Sequence, residues 1–171
     1  MKCLKSVLMF LLVFGFVVPV FGQETDFAYL DHLLVYRTGR YFFVNRWHDD
    51  TPTTPFSDKN DRVFNYGIGM WSDNGGRSGV GYAEYQMDGT YSLFETTLAL
   101  DRRWLGDRGT TRFIIYADEN EIYNVRFNSS SEPVDISVAI PGNTNLLRLE
   151  VEQISNGGTH GAIWGHAILR K

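Results

Sequence analysis

The stretch Val134-Asp135-Ile136-Ser137-Val138-Ala139-Ile140 alternates apolar and more polar or smaller side chains without a break. A strand turns successive side chains to opposite faces, so Val134, Ile136, Val138 and Ile140 share one face, the pattern of a strand with one buried side. Downstream, Leu147, Leu149 and Val151 alternate with Arg148, Glu150 and Glu152 in the same way. Upstream, Tyr123, Val125 and Phe127 alternate with Asn124 and Arg126. The run Thr111–Ala117 (TRFIIYA) is apolar on both faces, as a central strand must be. Asp118-Glu119-Asn120-Glu121 joins these two runs as a hairpin turn. Gly81–Met87 and Ala162–Leu169 also read as extended. Tyr91–Leu100 is open to two readings, because Leu93, Phe94, Thr97 and Leu98 would also line a helix. Two adjacent threonines and the lack of a good N-cap favour a strand.

Turn residues at Gly39, Pro52, Pro55, Gly75-Gly76, Gly89, Gly106, Pro141-Gly142 and Gly157-Gly158 punctuate these runs. No segment carries the apolar stripe of a packed helix. The fold class expected is therefore all-β, a β-sandwich or jelly roll. There is no internal repeat and no linker, so one domain is expected.

Composition narrows the function. The chain has 171 residues, 43% of them hydrophobic and 15% aromatic, which excludes a disordered chain. A formal charge of −4 argues against general nucleic-acid binding, which needs a basic footprint. Met1–Gly22 reads as a secretory signal peptide. Lys2 and Lys5 precede the apolar run Val7–Val18, Pro19 breaks it, and Val20-Phe21-Gly22 forms the cleavage site. The alternative, an uncleaved membrane anchor, is disfavoured because that run falls short of the roughly 20 residues of a span. Residues 23–171 are then the mature domain, destined for an extracellular or periplasmic location and not embedded in a membrane. The single cysteine, Cys3, leaves with the leader, so neither thiol catalysis nor cysteine-ligated zinc is expected.

The order of segments resembles a known family. Tyr29-Leu30-Asp31 opens the domain, and Tyr66-Gly67-Ile68-Gly69-Met70-Trp71 precedes a loop. Tyr85-Gln86-Met87-Asp88-Gly89-Thr90-Tyr91-Ser92-Leu93-Phe94-Glu95 follows, then Leu100-Asp101, Phe113-Ile114-Ile115-Tyr116-Ala117-Asp118 and Glu121-Ile122-Tyr123. His160-Gly161-Ala162-Ile163-Trp164-Gly165-His166-Ala167-Ile168-Leu169 closes it. This succession is similar to the NPCBM family, kin of the family 51 carbohydrate-binding modules. The resemblance implies a galactose-binding-like jelly roll, a non-catalytic sugar-binding role and often a structural calcium ion. The family's glycine pair is usually followed by a small residue and His-Ala, where this chain has Met70, Trp71 and Ser72. Its closing motif typically reads Asp-His-Ala-Asp-Trp-Ala-Asp-Ala. Ala162, Trp164 and Ala167 match it, whereas His160, Gly161, Ile163 and His166 replace its polar positions.

Sugars stack a C–H face on an aromatic ring and hydrogen-bond polar neighbours. Two loop segments offer both: Trp47, His48 and Asp49, and Trp71, Asp73 and Asn74. Trp47 lies between Tyr41-Phe42-Phe43 and a Pro/Thr-rich stretch, which predicts exposure. The competing reading makes Trp47 or Trp71 a plug at one end of the sandwich. Trp104, within Asp101–Arg108, reads as a loop aromatic among self-neutralising surface charges, and Trp164 as core. Asp49, Asp50, Asp58 and Asp61, with Asn60, are dense enough in one stretch to suggest calcium, against a plain solvated acidic loop. No nucleophile, phosphate-loop or zinc motif appears, so no enzyme is expected. The expected partner is a glycan or glycoprotein, with possible oligomerisation for avidity. The alternative is a structural or protein-interaction jelly roll with a decayed sugar site.

Overall fold

A computed structural model describes residues 26–39, 41–47, 54–72, 80–105, 109–154 and 160–171. Among them fourteen strands form: β1 (Phe27–Tyr29), β2 (Arg37–Thr38), β3 (Phe42–Val44), β4 (Arg46–Trp47), β5 (Thr54–Ser57), β6 (Val63–Phe64) and β7 (Gly67–Ser72). They continue with β8 (Gly81–Gln86), β9 (Leu93–Leu100), β10 (Thr110–Ala117), β11 (Asn120–Asn128), β12 (Val134–Ala139), β13 (Leu146–Gln153) and β14 (His160–Arg170). The only helices among the described residues are two single 3-10 turns, Leu30–His32 and Arg102–Trp104.

The strands make two antiparallel sheets that face each other. One runs β12-β9-β14-β7-β3, with β1 also on β14; the other runs β11-β10-β13-β8-β2. Between them lie Phe94, Leu98, Phe113, Ile115, Leu147, Leu149, Val151 and Trp164, all at 0% exposure. The doubly apolar run falls in β10, which has a neighbour on each side. Asp118 and Glu119 turn it into β11, as the hairpin reading expects. The ambiguous Tyr91–Leu100 segment is a strand from Leu93 onward.

Of the alternating residues expected in the core, Val138, Ile140, Leu147, Leu149, Val151 and Trp164 are buried. Ile136 is half-buried, and Val134 is a correction, at 41% exposure. β12 is an outer strand that pairs with β9 alone, and Val134 is its first residue, so water reaches one flank.

A third, smaller sheet, β4-β5-β6, lies against the outer side of the six-stranded sheet. Alternation along β7 and β14 explains how it can. Ile68, Met70, Ala162 and Trp164 belong to the inner core, which leaves Gly69, Trp71, Gly161, Ile163 and Gly165 facing outward. The glycines leave room for rings. A Cβ would stand 2.7 Å from Phe56 at Gly69, 2.8 Å from Trp104 at Gly161 and 2.1 Å from Phe64 at Gly165. With those faces bare, Trp47, Phe56 and Phe64 settle onto Ala99 and Ile163 and are fully buried.

Candidate functional site

At one end of this outer layer three tryptophans meet. The ring centre of Trp47 lies 6.0 Å from that of Trp71 and 4.8 Å from that of Trp104, and Trp71 and Trp104 are 5.3 Å apart. Phe43 joins Trp47 at 5.1 Å and Trp71 at 5.4 Å, and Tyr41 lies tilted against Trp71 at 5.5 Å. Edge-to-face and offset pairs at such separations are favourable beyond the area they bury. β4 delivers Trp47, β7 delivers Trp71, and the 3-10 turn after β9 delivers Trp104.

Asp101 fastens the cluster from beneath. It is completely buried, and its Oδ2 accepts from Trp47 Nε1 at 2.7 Å and from the Ser57 amide at 3.2 Å. Its Oδ1 accepts from the Arg103 amide at 3.0 Å and from Arg103 Nε at 3.1 Å. A buried carboxylate is tolerable only when so paired. Arg103 in turn lays its guanidinium 4.2 Å from the Trp104 ring centre. Trp71, Trp104 and Tyr41 remain half-buried, so part of each reaches water at this end.

Trp47 and Trp71 do converge, yet Trp47 corrects the expectation of an exposed ring. It is sealed between Phe56, Phe43 and the glycine floor, and its one polar atom is taken by Asp101. Trp47 is therefore the plug, and only Trp71 of the pair reaches the surface. His48, Asp49, Asp50, Asp73 and Asn74 lie outside the described residues. Trp104 is a further correction: the Asp101–Arg103 pair beside it is largely buried rather than a surface ornament, and the ring belongs to the cluster.

Of the acidic residues expected to hold calcium, Asp49 and Asp50 lie outside the described residues, and Asp58 and Asp61 turn to different partners. Asp58 is buried, and its Oδ1 accepts from the Asn60 amide at 2.8 Å and the Arg62 amide at 3.0 Å, closing the turn between β5 and β6. Asp61, at a left-handed φ of 63°, turns outward and pairs with Arg102. Among the described residues no group of three or more acidic, histidine or cysteine side chains could hold a metal ion.

Residues 53–170 match the NPCBM/NEW2 domain family. The chain belongs to that family. No curated protein matches the sequence. Solved structures bear out the jelly-roll fold of this NPCBM/NEW2 chain. The CBM51-2 and INT domains of Clostridium perfringens ZmpB align with a TM-score of 0.67 at 18% identity, over 85% of this chain and 31% of that one. The chain thus spans about a third of the first solved structure it matches. The CBM51 of Clostridium perfringens GH95, in complex with methyl-galactose, gives 0.64 at 22% identity, covering 84% of this chain and 99% of that one. The tandem CBM51 modules of a Streptococcus pneumoniae family 98 glycoside hydrolase give 0.64 at 18%, over 85% and 47%.

Two positions that are polar in the closing motif of the NPCBM family, Gly161 and Ile163, here face the sealed aromatic layer. A Cβ at Gly161 would already collide with Trp104 and crowd Trp47. The sequence signals for this layer were glycines two apart on β7 and four apart on β14, which strip one strand face of side chains.

Proposed function

We propose that this chain is a secreted, non-catalytic glycan-binding module, with galactose-type glycans as ligands and the rim of Tyr41, Trp71 and Trp104 as the contact surface. The carrying observation is the gathering of these half-exposed rings, on three separate elements, at one end of a carbohydrate-binding-module scaffold. The exposed part of an indole or phenol face can take the C–H face of a sugar. A relative of the same fold at 22% identity carries methyl-galactose, which favours that sugar class. One such site binds weakly, so avidity would come from a multivalent glycan surface or from self-association. The leader Met1–Gly22 supports export and a mature chain starting at Gln23.

The test is a glycan array and galactoside titration of the exported protein and its Trp71→Ala variant, with melting curves alongside. The expectation is a loss of about 1–3 kcal/mol in binding for the variant. Parent protein that binds no glycan would refute the reading. N-terminal sequencing that finds Met1 in place would refute export with cleavage.

A second reading has its own support. Gly161 and Ile163 stand apolar against the buried layer where the family pattern has polar groups. That replacement favours a jelly roll whose sugar site has decayed and whose surface meets another protein. Absent glycan binding in a folded parent protein would favour it.

A further inference from the structure

β12 closes one side of the six-stranded sheet and pairs with β9 alone, so no strand lies along its other edge among the described residues. The Ile140 amide donates to the Ser92 carbonyl at 2.8 Å, which continues the β12–β9 ladder past Ala139. In an antiparallel ladder every second residue turns its N–H and C=O to the same side. Val134, Ile136 and Val138 therefore bond toward β9, in step with Ile140. Asp135, Ser137 and Ala139 aim theirs outward, and those backbone groups have no partner among the described residues.

Free edges are usually guarded by shortness, charge, proline or a bulge. β1, β2 and β3 are only two or three residues long. β11 carries Glu121 and Arg126, and its ladder with β10 slips between Ile115 and Tyr116. β12 has six residues, an unbroken register and neither lysine nor proline. Its one charge, Asp135, accepts from Thr97 Oγ1 at 2.5 Å and stands 3.9 Å from Arg62 Nη1. The turn before it is tied to the outer layer, by Lys59 to the Ser130 carbonyl and to Glu132.

The strand is also symmetric about its own centre. Pro133 and Pro141 stand four residues to either side of Ser137. Val134 and Ile140, and Ile136 and Val138, are equidistant from it in the same way. Set antiparallel to a second copy and centred on Ser137, the edge offers three facing pairs of outward residues, about six hydrogen bonds in all. Val134, 41% exposed, then meets Ile140 of the second copy, and half-buried Ile136 meets its Val138. Asp135 faces Ala139, so no like charges oppose each other. The ladder ends where two prolines, which have no N–H to give, face each other. A shift of two residues one way brings the two Asp135 side chains onto a diagonal, and the other way sets Asp135 against Pro141.

We propose that the free edge of β12 is a self-association surface, joining two copies of this chain antiparallel about Ser137 into one continuous sheet. The partner is a second copy because only a strand with this spacing of prolines, apolar residues and single charge matches the edge throughout. The inference holds whether or not the aromatic rim binds a glycan.

Sedimentation equilibrium of the exported protein over a range of concentrations tests it. A dimer with a dissociation constant on the order of 10–100 µM is expected, as suits a small interface. Ser137→Pro removes an N–H that the monomer does not use, a place where an edge strand tolerates proline, and should leave a folded monomer. Val134→Lys, at an exposed position, should weaken the dimer roughly ten-fold or more, and it decides alone if Ser137→Pro fails to fold. Ser137→Cys fixes the register. Facing Cα atoms about 5.5 Å apart suit a disulfide, so air oxidation should link two copies. Asp135→Cys, whose two copies would lie about 13 Å apart, should link far less. A protein monomeric at every concentration, a dimer undiminished in folded Val134→Lys, or equal linkage of the two cysteine variants would overturn the proposal.

Discussion

Replacing Asp101 by alanine should cost this protein a large share of its stability. The side chain is fully buried and accepts four hydrogen bonds from three residues. Truncation strands the Trp47 indole N–H and the Ser57 amide, each at about 1–3 kcal/mol when buried. It also takes the carboxylate from Arg103, whose side chain is 24% exposed, so part of that loss is recovered from water. Removing one partner of a buried charge pair costs about 3–5 kcal/mol. Discounting the exposed share of Arg103, about 4 kcal/mol is expected in all, against a total of about 5–15 kcal/mol for a domain. In a chain of this length that lowers the melting temperature by roughly 10 °C. Asp101→Asn, which keeps one acceptor and the shape, should lose about half as much. Urea denaturation of the three proteins, monitored by tryptophan fluorescence, measures both. A loss below about 1 kcal/mol for Asp101→Ala would refute the view that this carboxylate holds the aromatic layer in place.

Gly165→Ala sets a new Cβ 2.1 Å from Phe64, where carbon atoms prefer about 3.5–4.0 Å, so Phe64 must leave a seat in which it has no exposed surface. A destabilisation of about 3 kcal/mol is expected from denaturant curves, and an unchanged midpoint would refute the glycine-floor account. Asp88 should titrate below the ordinary carboxylate range, because the Thr90 hydroxyl and then its amide bond the ionised form. The group's folded value is depressed, so its contribution is present at neutral pH and fades as pH falls through that lowered value. Carboxyl NMR on the parent and on Thr90→Val reads this directly; equal, ordinary values in both would refute it.

The two-sheet frame was legible because period-two patterning is local. Leu147, Leu149 and Val151 announce an inner face from five residues of sequence, and the run of Phe113, Ile114 and Ile115 announces a strand covered on both sides. Val134 misled because the same pattern cannot say whether a strand has neighbours on both flanks. The burial of Trp47 was illegible for a related reason. What covers it comes from β5, and what it rests on comes from glycines on β7 and β14, more than 20 and 110 residues away. Its flanking polar residues are those of an exposed loop. Of the candidate site, the sequence disclosed the kinship of Trp47 and Trp71 but not Trp104, whose charged neighbours read as solvated although Asp101 among them is fully buried.

The position of β14 has a consequence in time. Residues 160–170 come late in the chain, yet they lie inside the six-stranded sheet, flanked by β9 on one side and by β7 and β1 on the other. Until they emerge from the ribosome, those three strands have no common partner and the sheet cannot close. Such distant pairings make for slow folding, in milliseconds to seconds. A chain so wired cannot complete the six-stranded sheet before β14 has been made.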